Sequence, residues 1–85
     1  MDVTRLALAS AAEAARAIQA GEVSAEQLVQ ACLDRTRELE PQVQAWHFLD
    51  EAHALAQARA RDLDRAEGRA TGPLHGVPVG IKDII

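Results

Sequence analysis

Apolar positions along this chain recur with two different periods. Between residues 10 and 67 they return every three or four positions, the spacing of helix faces. In the last stretch the period drops to two, the spacing of a strand.

The first helix is predicted over about residues 10–20. Ser10 and Glu13 form a capping box, in which hydroxyl and carboxylate each satisfy an amide that the helix cannot. The alanine-rich sequence that follows has the highest helix propensity. Gly21 sits where a C′ glycine belongs. Ala14, Ala15 and Ile18 share a face of small side chains that permits close approach of another helix.

A second helix is predicted over about residues 24–39. Ser24 and Gln27 repeat the capping box, and Val23 with Leu28 fits the hydrophobic staple. Leu28, Cys32 and Leu39 make a stripe, widened by Val29 and Leu33. Pro41 is expected to stop this helix, because the residue before a proline is pushed out of the α region. The short link 21–23 predicts that the first two helices are antiparallel neighbours.

Residues 43–49, V-Q-A-W-H-F-L, carry both aromatics of the chain. Read as extended, Val43, Ala45, His47 and Leu49 share one face and Trp46 and Phe48 the other, which suits an edge strand or connector. A third helix, about residues 50–67, starts at the cap Asp50 and ends at Gly68. Its predicted apolar face is Ala52, Leu55, Ala56 and Leu63, opposite Arg59, Arg61 and Arg65. Residues 1–9 are a lead-in in which Val3, Leu6 and Leu8 offer docking side chains.

The last element is a strand over about residues 77–83. Val77, Val79 and Ile81 alternate with Pro78, Gly80 and Lys82. Pro78 fits a strand start or edge, and Gly80 leaves one face bare for close packing. Lys82 falls on that same face. The order is helix, helix, extended piece, helix, strand, an α/β arrangement of three helices followed by one core β-strand.

Composition narrows the picture. Eighty-five residues allow one small domain. Eighteen of them are alanines, so the 48% hydrophobic content supplies little large apolar surface, and marginal stability is expected. The net charge of −4, without basic clusters, argues against a nucleic-acid surface. The single cysteine, Cys32, excludes an internal disulfide and suits a reducing compartment; on an apolar helix face it reads as a structural thiol. No signal peptide or membrane-spanning run is evident.

His47 and His53 stand without the neighbours that a metal site needs, and His75, in a glycine-rich turn, reads as making a structural hydrogen bond rather than as catalytic. Ser10 and Ser24 are better explained as helix caps than as nucleophiles. Lys82 is the one lysine beside eight arginines. The strand pattern leaves it two readings. One is a solvated edge charge that blocks aggregation. The other is a desolvated lysine whose lowered pKa lets it act as a base.

The run Gly72-Pro73-Leu74-His75-Gly76-Val77-Pro78-Val79-Gly80-Ile81-Lys82-Asp83 resembles the segment that carries the catalytic lysine in the amidase signature family. The upstream helices resemble that family's N-terminal region in order and length. The resemblance implies amide hydrolysis by a Ser–cis-Ser–Lys triad, with Lys82 as the triad lysine. It implies that residues 1–85 are a single, incomplete N-terminal part of an amidase domain, and that both triad serines and the oxyanion-hole amides follow residue 85. The 85 residues alone are then expected to be inactive. It further implies no cofactor and no metal, a cytoplasmic location, a small-molecule amide substrate and contact with the remainder of the amidase domain. No nucleic-acid or membrane partner is implied, and a homodimer is left open. An alternative within the same family is the glutaminase-type A subunit of a glutamyl-tRNA amidotransferase. An alternative outside it is a helical interaction module without catalysis.

Overall fold

Three helices form because the sequence closes both ends of each. The computed structural model describes residues 7–46, 48–69 and 71–81. It contains α1 (Ala11–Gln19), α2 (Ala25–Val43) and α3 (Glu51–Ala66). At α1, Glu13 N donates to Ser10 Oγ at 3.1 Å and Ser10 N donates to Glu13 Oε1 at 3.4 Å. At α2, Gln27 N donates to Ser24 Oγ at 3.0 Å and Ser24 N donates to Gln27 Oε1 at 2.9 Å. His53 N donates to Asp50 Oδ1 at 3.0 Å and opens α3. Beyond α1, Gly21 takes φ +77, so that Gly21 N reaches Ile18 O and Glu22 N reaches Ala17 O. That pair of bonds is a Schellman closure, and the left-handed C′ position favours glycine.

Pro41 does not end α2. The helix continues to Val43, and Gln44 N closes the last turn on Glu40 O at 2.8 Å. A proline removes one ladder donor, and here the loss falls in the final turn. Gln44 then stops the helix itself with a left-handed φ of 51°. Residues 44–46 and 48–50 form an irregular connector, and His47 lies outside the described residues.

The extensive helix–helix contact is between α2 and α3, rather than between α1 and α2. Arg37 near the end of α2 pairs with Glu51 at the start of α3. Glu26 at the start of α2 pairs with Arg59 of α3 at 2.8 Å. The two helices are therefore antiparallel. With nine residues and mostly alanine, α1 has little surface to offer a partner. It contributes Ala14, Ala17 and Ile18 to a shared core with Val23, Ala25, Leu28, Val29, Leu33 and Ala58. Among the described residues, only Ile18 is both large and fully buried.

α3 is rotated from its predicted orientation. Ala52, Ala56 and Leu63 face solvent, Leu63 being 61% exposed, while Ala54, Leu55 and Ala58 meet the core. The reason is Asp62, which shares the face of Ala54 and Ala58. Its Oδ1 accepts from Ala25 N at 2.7 Å and its Oδ2 from Glu26 N at 3.0 Å. These amides begin α2 and have no carbonyl partner of their own. A carboxylate there is also favoured by the helix dipole.

The predicted strand is a further difference. Residues 77–81 join no ladder, and among the described residues there is no strand. A strand is defined by the neighbour that takes its backbone hydrogen bonds, and no described segment supplies one. The described part is thus three helices followed by an irregular segment, and the predicted α/β arrangement with a core strand has no counterpart in it. Positions 82 and 83 of the predicted strand lie outside the described residues, as do Val3, Leu6, Ile84 and Ile85.

Removing the Asp62 carboxylate should release the start of α2. We expect Asp62→Ala to destabilise the chain by about 1–2 kcal/mol, as for loss of a charged helix cap. Hydrogen exchange at the Ala25 and Glu26 amides should accelerate. Unchanged protection of these two amides would count against the cap.

Candidate functional site

The predicted site residue, Lys82, lies outside the described residues. What the structure presents is the segment that leads to it, residues 71–81, and the contacts that hold that segment. The first is a turn rich in glycine and proline. His75 N donates to Gly72 O at 3.2 Å and Val77 N donates to Leu74 O at 3.1 Å. The imidazole fixes this turn to α3, with His75 Nε2 lying 2.7 Å from Arg61 O. A carbonyl only accepts, so Nε2 carries the proton. His75 is thus a structural donor here.

Gly76 makes the closest approach to the helices. It has φ +83, and a Cβ at this position would stand 3.0 Å from Ala25 Cβ and 3.0 Å from Ile18 Cδ1. The turn therefore seats against the end of α1 and the start of α2 together. Val77 follows and packs against the core. At Gly80 a Cβ would stand 3.1 Å from Trp46 Cη2. The bare face expected at Gly80 is thus covered by an indole from the α2–α3 connector. Val79 and Ile81 are 78% and 76% exposed.

The charges around this segment are ordered by α3. Asp64 accepts from Arg61 Nε at 2.8 Å and from Arg69 Nη1 at 3.1 Å. Desolvation opposes ionisation of Asp64, but the hydrogen bonds and charges of Arg61 and Arg69 outweigh it and hold the carboxyl below its ordinary range. Arg65 Nη2 donates to Gln19 O at 3.3 Å, which ties α3 to the end of α1. Cys32 is half-buried, and burial pushes its thiol pKa up, away from the range of a reactive nucleophile.

The serines are equally committed. Ser10 and Ser24, the two serines of the sequence, both accept helix amides through Oγ. The structure brings neither of them to residues 71–81 as a hydrogen-bond partner. Among the described residues, no group of three His, Cys, Asp or Glu is placed to hold a metal ion. None of the described helices is long and apolar enough to cross a membrane.

Three contacts around the segment were not anticipated from sequence: Asp62 on the start of α2, Gly76 between two helices, and Trp46 on Gly80. The signals were modest. Trp46 is the sole tryptophan, and Gly76 and Gly80 were visible as glycines without their partners.

Comparison with known proteins places the segment in context. The family described as Amidase matches residues 27–85, which includes the whole glycine-rich run and Lys82. The A subunit of the glutamyl-tRNA(Gln) amidotransferase of Chloroflexus aggregans is 45% identical over 83 residues, covering 98% of this chain and 17% of that protein. Its namesake from Thermobifida fusca is 48% identical over 82 residues, 96% of this chain and 16% of its own length. An Amidase from Pseudomonas putida is 45% identical over 82 residues, 96% of this chain and 17% of its length. The chain thus spans about one sixth of the length of these relatives. No solved structure matches.

The seat of Gly76 yields a contrast between two glycines. Gly76→Ala should destabilise by about 2 kcal/mol, from a left-handed backbone and from crowding against Ile18 and Ala25. Gly72→Ala should be close to neutral, since nothing lies within 4 Å of the place its Cβ would take. Urea unfolding of both variants measures the difference, and equal effects would rule out the close seat.

Proposed function

The chain belongs to the amidase family, and from that premise we propose that it supplies the proton-carrying lysine, Lys82, of an enzyme that hydrolyses a carboxamide C–N bond. The match that runs through the Gly72–Pro73–Leu74–His75–Gly76 turn to Lys82 carries this reading. An amide resists hydrolysis because its carbonyl is a weak electrophile and its nitrogen a poor leaving group. A Ser–Lys hydrolase needs an activated hydroxyl, a base to take its proton and an acid to protonate the departing nitrogen.

Lys82 is the base and acid in this scheme, and a neutral amine passes protons through a bridging serine to and from the nucleophile. Both serines belong to parts of the enzyme that these residues do not include, since Ser10 and Ser24 are used as caps. In the assembled domain, residues 77–83 form a core strand of an α/β fold once a neighbouring strand pairs with them. Desolvation there lowers the lysine pKa from its reference value of about 10.4, so that a useful fraction is neutral near pH 7.

A second reading is favoured by the relatives' names. Proteins named as the A subunit of glutamyl-tRNA(Gln) amidotransferase match nearly the whole chain at 45–48% identity. On that reading the amide is glutamine and the enzyme works with further subunits. Ammonia release by the full-length protein from propionamide and from L-glutamine separates the two.

Both readings make the same demand of Lys82. Lys82→Arg in the full-length protein should lower turnover by roughly 10³-fold or more, because guanidinium keeps the charge but does not deprotonate. Near-native turnover in the Arg variant would make Lys82 a structural cation and remove the triad assignment.

A further inference from the structure

Charge is spread unevenly over this chain. Residues 41–49 and 71–81 contain no Asp, Glu, Lys or Arg, although 26% of the whole sequence is of these types. The two charge-free runs are far apart in sequence, and the fold joins them. A Cβ on Gly80 would stand 3.1 Å from the edge of the Trp46 indole. Trp46 is held from the helix side, its backbone N–H donating to Glu40 Oε1 at 3.1 Å. The indole also lines a cleft with Pro41 and Leu49, and the Arg37–Glu51 ion pair stands at the border of that cleft.

Exposed apolar side chains gather at the same place. Ten large ones are exposed among the described residues, and seven of these belong to residues 39–49 and 79–81. Phe48, Val79 and Ile81 are each at least 75% exposed, and Trp46 lies between them at 43%. Other faces differ. The outward side of α2 carries a cleft lined by Glu26, Gln30, Asp34, Arg35 and Glu38. Leu63 of α3 stands between Asp62 and Asp64, with Arg59 and Glu67 one turn away on either side. Single exposed apolar residues among charges are ordinary solvated surface. A joined patch of them is not. Loss of charge, gain of aromatics and a polar rim mark the core of an interface.

We propose that the α2–α3 connector and residues 79–81 form one docking face, and that its occupant is the remaining length of the same protein. The chain spans about one sixth of its relatives' length, so most of such a protein lies outside these residues. That remainder is tethered to the face, at an effective concentration that a separate partner rarely matches. Its contacting surface is apolar and brings no unpaired charge, because neither charge-free run offers a counter-charge and a buried unpaired charge is costly. The outward face of α2 and Leu63 stay at the surface of the whole molecule. The proposal does not depend on the role of Lys82, and turnover of Lys82→Arg leaves it untouched either way.

The test is hydroxyl-radical footprinting of the full-length wild-type protein, read by peptide mass and scaled to the same residues in its tryptic digest. It is run on a dilute sample shown by light scattering to be monomeric. Phe48, Val79 and Ile81 should oxidise at least about fivefold more slowly than in the digest, and Leu63 within about twofold of it. A second measurement uses two variants. Phe48→Ser should lower Tm of the full-length protein by about 3 °C or more, and Leu63→Ser by less than about 1 °C. Oxidation of Phe48, Val79 and Ile81 at the digest rate would overturn the proposal, as would equal protection of Leu63. Protection that appears only as concentration rises, or only when another protein is added, would give the face to a second copy or a separate subunit and overturn it too.

Discussion

The amides of Ala25 and Glu26 begin a helix and have no carbonyl to meet, and Asp62 brings both acceptors from across the fold. Much of the arrangement depends on that contact. It fixes the rotation of α3, so that Ala54 and Ala58 turn inward and Leu63 turns out. It fixes the register of α2 against α3, which the Arg59–Glu26 and Arg37–Glu51 pairs then follow. It also presents the Arg61 carbonyl, one residue away, to His75. An apolar stripe alone would not specify these positions, because alanine-lined faces slide at little cost. Directional bonds between charged and backbone groups supply the specificity.

The core explains why polar ties matter so much. Among the described residues, half of the ten buried apolar ones are alanines. Alanine adds helix propensity but little area, and burial scales with area. α3 compensates by acting as a hub. It bonds to the end of α1 through Arg65, to the start of α2 through Asp62 and Arg59, and to the turn through the Arg61 carbonyl. Surface ion pairs contribute little singly. The value of Arg59–Glu26 and Arg37–Glu51 is geometric, since both join α2 to α3.

Local signals were legible in the sequence and tertiary ones were not. The capping boxes at Ser10 and Ser24, the Asp50 cap and the terminal glycines are patterns within four residues, and all are formed. Pro41 misled because a proline in a last turn sacrifices one bond rather than a helix. The α3 face misled because the choice between Leu63 and Asp62 was decided by unpaired amides 36 and 37 residues away. The strand over 77–83 was read from alternation, but alternation names a face and not the neighbour that pairs with it. In the candidate site, the glycine-rich run was legible as a family resemblance, and the family match includes it. The partners of its glycines were not, because Ile18, Ala25 and Trp46 reach them only through the fold.

The seat of Gly76 carries a consequence for the order of assembly. Its two contacts come from different helices, Ile18 of α1 and Ala25 of α2, so the pocket exists only where those helices have already met. On a ribosome both emerge before the turn does, and folding tends to follow that direction. The turn thus acts as a checkpoint on the helices. A chain whose helices are misplaced offers the glycine no seat, so docking of the turn reports whether α1 and α2 have met.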